Sequence, residues 1–449
     1  MLMTASSIHS AMARIAFDGP VIGPEHAEYD RFRRIWNGVA DRRPTAIIRA
    51  RSVDDVRKAV GLAADHNTLL AVRCGGHSLP GLSTCDDGIV LDLSLLNDVV
   101  VDKSAGTADV GGGALLGDLD AAGARAGLVT PAGVVSHTGV AGLTLGGGMG
   151  WLSRRFGLTI DNLLGAEVVT ADGRVIWASA ESEPDLFWAL RGGGGNFGVV
   201  TKFRFRMHKF GPIIVGCWTY AAADHQKVLA GFEELSAAAP REMTSNFSLT
   251  PTQVIVTACW SGSADKAAAA VAPFGKLAAP LSGGYGDMAY IDLQKRHDEA
   301  TAWGQRHYSK GGFLGKIDVS TIARMHEIIA SAPATGTDIY ILQLGGAVTD
   351  IEEHATPYSG RAASYYWITN ALWDHQADDA RYISWGRMAA KSLTAISLKG
   401  NYVNEQADHG KDVAEKAYGA EKYDRLARLK ACYDPNNLFR LNQNIEPRP

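Results

Sequence analysis

A chain of 449 residues with 46% hydrophobic content can bury more than one core, so two or three domains are expected. A net charge of −4 supplies no basic field for nucleic acid or anionic lipid, and neither is expected as a partner. The five cysteines (Cys74, Cys85, Cys217, Cys259, Cys432) are odd in number and form no CxxC pair, which argues against a disulfide framework or zinc ribbon and suits a reducing cytoplasm.

The N-terminal stretch MLMTASSIHSAMARIAFDG has no continuous apolar core, so no signal peptide is read there. No apolar run near 20 residues follows, so no membrane span is expected. VDDVRKAVGLAADH (53–66) has helical apolar spacing, and LLAVR (69–73) and GIVLDLS (88–94) read as strands. LLGDLDAAGARAGL (115–128) reads as a helix. AEVVTADGRVIWAS (166–179) reads as a hairpin around a primed Asp172-Gly173 turn. EPDLFWALRG (183–192) is helical, and GVVTKFRFRMHKF (198–210) is a long alternating strand.

From about residue 211 the texture changes. Strands IIVGCWTY, SNFSLT, VIVTACW, DIYILQLGG and SYYWITNALW alternate with Ala-rich helices, the pattern of an antiparallel sheet with helices on one side. The tail EKYDRLARLKACYDPNNLFRLNQNIEP reads as a helix ended by Asp434-Pro435, then an extended polar segment.

Glycine is 50 of 449 residues and clusters at 111–113, 146–150 and 192–195. GGGNFG (193–198) matches GxGxxG, but a helix precedes it and a strand follows, the reverse of a dinucleotide fingerprint of the dehydrogenase type. One glycine cluster alone is most simply a tight turn. Three clusters plus RCGGHS (73–78) suggest one large ligand held by main chain, with CGGHS an anion nest for a pyrophosphate.

Four motifs occur in order: RCGGHS, TPAGVVSHTGVAGLTLGGGMGWLSRRFGLTIDNLLGAEVVTADG, LFWALRGGGGNFGVVT and YDPNNLFRLNQNI. Together they resemble the FAD-linked oxidases of the vanillyl-alcohol oxidase fold. Within these the chain is most similar to the berberine-bridge-enzyme-like branch, which includes bacterial 6-hydroxynicotine oxidases. The resemblance implies an α+β architecture. An FAD-binding domain is split between residues 1–210 and 400–449, and an antiparallel-sheet-plus-helices substrate domain is inserted at 211–399.

The resemblance also implies FAD bonded through its 8α carbon to His77, a neutral imidazole being the nucleophile needed. Many relatives add a second link from a cysteine. In GVVSHTGVAG that position is Val135, so His77 is expected to be the single link. Further flavin contacts are expected from Arg73, Cys74, Gly75, Gly76, Ser78 and Leu79, although Cys74 also reads as a small buried filler. The later motifs add Thr138, Gly139, Gly142, Leu145, Gly146, Gly147, Gly148, Gly150, Trp151, Asn162, Gly198, Val199 and Val200. Thr138 stands where plant-like relatives control oxygen access to the ring. In the tail, an extended chain would put Asn442 and Asn444 on one face, with Gln443 the alternative contact.

Flavin oxidation of a C–H bond needs a base for the accompanying proton unless an amine is already neutral. In GNYVNEQAD (400–408), Tyr402 and Asn404 match a family flavin-edge pattern. Glu405 occupies the position where several relatives carry a tyrosine base. A carboxylate half-buried beside a flavin would have a raised pKa; equally, Glu405 could begin a solvated loop. Strand alternation would turn Glu405 away from the face of Tyr402 and Asn404 unless the chain bends. In SYYWITNALW, Tyr366, Ile368 and Asn370 share one face, making Tyr366 and Asn370 candidate catalytic residues on a strand that equally suits core packing. Arg154-Arg155 reads as a solvated helix face, and the thirteen histidines show no HxxxH or HExxH spacing, so no metal is expected.

The expected activity is oxidation of a small amine, alcohol or secondary metabolite by hydride transfer to flavin, with O2 reoxidation to H2O2. A dehydrogenase with another acceptor, or a biosynthetic tailoring oxidase or cyclase, are the alternatives. Oligomeric state is not legible in the sequence.

Overall fold

The computed structural model describes residues 11–12, 14–333 and 335–448. Among them, three sheets carry the fold. In the first, Ala46–Arg49, Ile89–Asp92 and Leu70–Arg73 run parallel, with Val21–Ile22 antiparallel at one edge. Ile47, Ile48, Val90 and Leu91 are fully buried, the continuous apolar run that a sheet covered on both faces requires. The helix Val53–Asp65 crosses between two of these strands. Its cap is Ser52, whose side chain accepts from Asp55 N at 3.1 Å.

The second sheet is antiparallel, in the order Val99–Asp102, Thr107–Gly111, Val199–Arg206, Leu163–Val169, Val175–Ser179. Alternation buries Phe203 and Phe205 and exposes Lys202, Arg204 and Arg206. The expected long strand to 210 ends at Arg206. His208–Lys209 instead pair with Leu128–Val129. The hairpin at 170–174 is not of the primed type. Gly173 takes φ +79° while Asp172 stays in ordinary space, and Thr170 N and Gly173 N close a three-residue connection onto Arg174 O and Thr170 O.

The third sheet has seven antiparallel strands in the order Ser282–Met288, Ile213–Ala221, Gln253–Trp260, Met243–Leu249, Thr337–Gln343, Tyr365–Trp373, Arg306–Leu314. Helices His225–Ala237, Val319–Ala330 and Asp379–Thr394 supply Phe232, Met325 and Leu393 to a core with Phe247, Ile339 and Trp367. The two edge strands, SGGYGDM and RHYSKGGFL, lack the β-branched alternation that marks a strand in sequence.

The C-terminal helix Lys411–Tyr433, interrupted at Gly419, packs Tyr418, Tyr423 and Leu426 beside Val168, Phe197 and Phe203 of the N-terminal half. Beyond it the chain bends rather than extending. Asp434 accepts from Leu438 N and Phe439 N, and Asn196 pins the tail by donating to Gln443 O and accepting from Ile445 N.

Arg154 does not lie on a solvated face. It is buried, and its guanidinium donates to the carbonyls of Met243 (2.7 Å), Ala239 (2.9 Å), Pro240 (3.3 Å) and Leu344. Burial lowers its pKa to about 10. Arg155 likewise turns inward, donating to Ser261 O and lying over the Phe156 ring at 4.8 Å. These arginines cross-link the short helix Ser153–Phe156 of the N-terminal half to the seven-stranded sheet, which a charge pair read in sequence could not reveal.

Candidate active site

One cavity of about 1320 Å³ is lined by the N-terminal glycine loops, the helix-free face of the seven-stranded sheet and the 402–405 turn. It exceeds the roughly 300–1,000 Å³ of ordinary small-molecule sites, so it has room for a dinucleotide-sized group together with a substrate.

RCGGHS forms one wall. Arg73 itself faces away, contrary to expectation. It pairs with Asp92 at 2.7 Å and donates to the carbonyls of Phe32 and Arg34, holding the strand end that launches the loop. Gly76 takes φ +68°, and a Cβ on Gly75 would fall 2.3 Å from Gly139 N, so the turn needs both glycines. Ser78 Oγ accepts from Leu82 N at 2.9 Å, and Leu79 follows on the wall. Cys74 packs its Sγ 3.3 Å from Ala114 O, and burial pushes the thiol up to about 12, a packing residue rather than a nucleophile.

His77 reaches the cavity between aromatic neighbours. Trp36 stacks on it at 4.7 Å, and Trp303 meets it edge-on at 6.3 Å. Its Nε2 lies 2.7 Å from His137 Nδ1, and its Nδ1 lies 3.4 Å from Thr138 Oγ1. Burial first, then the His137 and His307 rings, lower its pKa to about 3, so the imidazole is neutral.

Thr138, Gly139, Gly142, Leu145, Gly198, Val199, Val200 and Asn442 lie on the same cavity, as do Val135 and Gln443. Gly142 has no neighbour within 4 Å of an added Cβ, and Gly195 meets nothing closer than Asn442 Nδ2 at 3.9 Å, so main chain is presented to the space. Asn442 Oδ1, Gln443 Oε1 and Ser83 Oγ on this wall are buried without partners among the described residues. Bare backbone, unsatisfied polar atoms and this volume fit FAD.

Seven other expected contacts lie off the wall. Added Cβ atoms on Gly146, Gly147 and Gly148 would strike Asn404 (2.3 Å), Tyr358 (2.7 Å) and Thr159 (2.2 Å). That glycine run admits protein side chains rather than ligand. Gly150 abuts Ala132 O, and Trp151 is buried in an apolar cluster with Leu152 and Ile213. Asn162 donates to Phe156 O and Leu158 O and meets His208 Nε2 at 2.6 Å. Asn444 leaves the wall to Asn442 and Gln443 because the tail bends, breaking the two-residue alternation on which its placement depended.

Across the cavity stand Tyr366, Ile368 and Asn370, the face expected from alternation, with Asp338 and Tyr340 on the paired strand. Ser309 Oγ donates to Asn370 Oδ1 at 2.7 Å and meets His307 Nε2 at 2.6 Å. Tyr402, Asn404 and Glu405 also line the cavity, but Val403–Glu405 is a 3₁₀ turn rather than strand. A 3₁₀ turn does not send alternate residues to opposite faces, so Glu405 shares the cavity with Tyr402 and Asn404 despite the expected strand parity. Tyr402 Oη accepts from Gly148 N (3.2 Å) and Asn404 Nδ2 (2.9 Å). Burial raises the Glu405 carboxyl to about 7. The Tyr366 and Tyr402 rings meet edge-on at 5.9 Å, and burial raises both phenols well above their usual range.

Trp36, His137, Trp303, His307, Asp338 and Tyr340 were not anticipated. Trp36, His307, Asp338 and Tyr340 line the cavity, whereas His137 and Trp303 reach it through His77, and the available signal for His137 was an imidazole two residues after Val135 in GVVSHTGVAG.

No helix among the described residues is long and apolar enough to cross a membrane. Residues 44–179 match the family described as "FAD binding domain", and residues 401–446 match "Berberine and berberine like". An FAD-linked oxidoreductase of Dictyostelium discoideum is 31% identical over 96% of this chain and 95% of its own. The (R)-6-hydroxynicotine oxidase of Paenarthrobacter nicotinovorans is 32% identical over 96% of this chain and 98% of its own. The crystal structure of 6-hydroxy-D-nicotine oxidase from Arthrobacter nicotinovorans matches with TM-score 0.86 and 30% identity, covering 96% of this chain and 99% of that one. BBE-like 1 of Physcomitrella patens shares the fold at TM-score 0.90 and 24% identity, covering 100% of both chains. Taken with a cavity that fits FAD, these likenesses place the chain among the enzymes of the FAD-linked oxidoreductase family, in its berberine-bridge-enzyme-like branch.

Proposed function

We propose that this enzyme holds FAD covalently through His77 alone and oxidises a small amine, alcohol or secondary metabolite, with dioxygen as acceptor and hydrogen peroxide as product. The observation that carries the reading is one cavity bounded by a neutral, aromatic-clamped His77 and by the Glu405 carboxyl beside Tyr402 and Tyr366. FAD, when bound, supplies the two-electron acceptor. Val135 lines the cavity and can form no thioether, which supports a single link. The solved glucooligosaccharide oxidase of Acremonium strictum is described as carrying a 6-S-cysteinyl, 8α-N1-histidyl FAD; here the histidine is present and no cysteine stands at position 135.

Glu405 takes the substrate O–H or N–H proton, its raised pKa matching it to a base working near neutral pH. Tyr366 and Tyr402 orient substrate through phenols kept protonated by burial, and Asn370 offers an amide on the same face. Asn442, and Gln443 in place of Asn444, hold the cofactor from the C-terminal side.

We also infer a flavin domain built from residues 1–210 and 400–449 around a substrate domain at 211–399. The shared core of the C-terminal helix with Phe197 and Phe203 supports it. Five unpaired cysteines support a reducing, cytoplasmic setting.

In acid-denaturing gels, yellow fluorescence should travel with the wild-type band and be lost in His77→Ala, whereas Cys74→Ser should retain it. Anaerobic substrate screening should bleach the flavin, and air should return the colour with stoichiometric peroxide. Retention of band fluorescence in His77→Ala would overturn the link, and bleaching that air does not reverse would assign another acceptor.

A further inference from the structure

His77 meets a different partner at each ring nitrogen, and the closer of the two is a second histidine. Nε2 lies 2.7 Å from His137 Nδ1, a hydrogen bond between two imidazoles, while Nδ1 has only the 3.4 Å approach of Thr138 Oγ1. In a neutral imidazole the nitrogen that donates is not the nitrogen that carries the lone pair. A His77 that donates from Nε2 to His137 therefore presents a nucleophilic Nδ1.

The chain beside His137 is pinned to the 298 segment. The neighbouring Ser136 donates through N and Oγ to the two carboxylate oxygens of Asp298, at 2.8 and 2.5 Å. The Asp298 segment also binds Trp36, whose Nε1 donates to Thr301 O at 2.6 Å, and Trp36 stacks on His77. The His77 ring is thus held in orientation by Trp36, and its Nε2 faces His137, both neighbours being tied to residues 298–301.

We propose that His137 is the positioning residue for flavin attachment: it accepts the Nε2 proton of His77, so that His77 Nδ1 becomes the linking atom. The inference rests on the reading that His77 carries the flavin. Attachment forms one bond, from His77 Nδ1 to the flavin 8α carbon. It breaks a C–H bond at that carbon and the N–H bond at His77 Nε2. The C–H electron pair stays on the ring system, leaving it reduced by two electrons. Dioxygen removes that pair and, with the two protons released, gives hydrogen peroxide. His137 Nδ1 is the first stop for the imidazole proton.

The test uses the full-length chain as purified, with total flavin read by absorbance and covalent flavin by fluorescence of the denatured band. The covalent fraction of the bound flavin is compared between variants as purified, and its growth is followed over time, after FAD is added, in chains produced under riboflavin depletion. His137→Asn can place an amide oxygen where His137 Nδ1 stands, His137→Gln places it about one bond further out, and His137→Leu has no acceptor. Gln and Leu should bind FAD while forming the link about 10²-fold or more slowly, the lower end of what general acid–base assistance contributes. Asn should stay within about tenfold of wild type. Gln or Leu attaching at the wild-type rate would overturn the proposal. Should Leu fail to fold, the Asn–Gln contrast decides alone, because both are polar and of similar bulk. His77→Ala separates the two readings. If it keeps covalent flavin, the His77 link itself is wrong. If it loses the flavin while Gln and Asn attach equally fast, only the role of His137 fails.

Discussion

Tyr402 and Gly148, 254 positions apart, are joined by a 3.2 Å hydrogen bond from Gly148 N to Tyr402 Oη. The same phenol oxygen accepts from Asn404 Nδ2 at 2.9 Å, and Asn404 Nδ2 also reaches Gly142 O and Leu143 O at 3.1 Å. The C-terminal turn is therefore docked onto a glycine run that leaves space for it. Tyr402→Phe keeps the ring and orphans a buried backbone donor, so the protein should lose about 1–3 kcal/mol. Urea titration should show a lower midpoint at unchanged slope.

Glu405, the proposed base, makes the pH dependence of flavin reduction a test of its role. Its carboxyl is raised to about 7 by burial, and the base is the ionised form, so anaerobic flavin reduction should fall as pH drops through about 7. Glu405→Gln should remain yellow, reduce its flavin about 10²–10⁴-fold more slowly and lose that acidic limb. Stopped-flow reduction across pH is the measurement. A Gln variant reducing at the wild-type rate at every pH would move the base to Asp338 or to the substrate itself.

Lys430 and Asp434 form a fully buried pair at 2.6 Å, and Lys430 Nζ also donates to Asn196 O and Phe439 O. Asp434→Ala strands the ammonium and frees two backbone donors. It should cost about 3–5 kcal/mol, the usual result of removing one partner of a buried pair. Thermal unfolding should register this, with loss of bound flavin. Truncation after Tyr433 removes the same contacts and should abolish flavin incorporation.

Arg154 satisfies four carbonyls with a planar fork, a geometry an ammonium does not reproduce. Arg154→Lys should therefore destabilise by at least about 1–3 kcal/mol, the cost of leaving one buried acceptor unpaired. His77, far along the chain, should still take up its covalent flavin in the protein that folds. Calorimetry with parallel gel fluorescence separates the two effects.

The sequence by itself determined the family, the α+β architecture and the presence of FAD, because these are written locally. RCGGHS, the later glycine runs and the tail motif each keep their meaning without knowledge of neighbours, and alternation correctly put Tyr366 and Asn370 on one face. Tertiary structure decided what depended on parity or on distant partners. Glu405 joined Tyr402 and Asn404 on the cavity because residues 403–405 coil into a 3₁₀ turn, where strand parity no longer sorts side chains between two faces. Asn444 gave way to Gln443 because Asn196 bends the tail. The glycines at 146–148 proved to be seats for Asn404, Tyr358 and Thr159, since a glycine announces close approach without saying what approaches. His137 and Trp36 meet around His77, with Asp298 holding Ser136 behind them, only when residues 36, 77, 137 and 298 converge, and nothing local to any of them encodes that meeting.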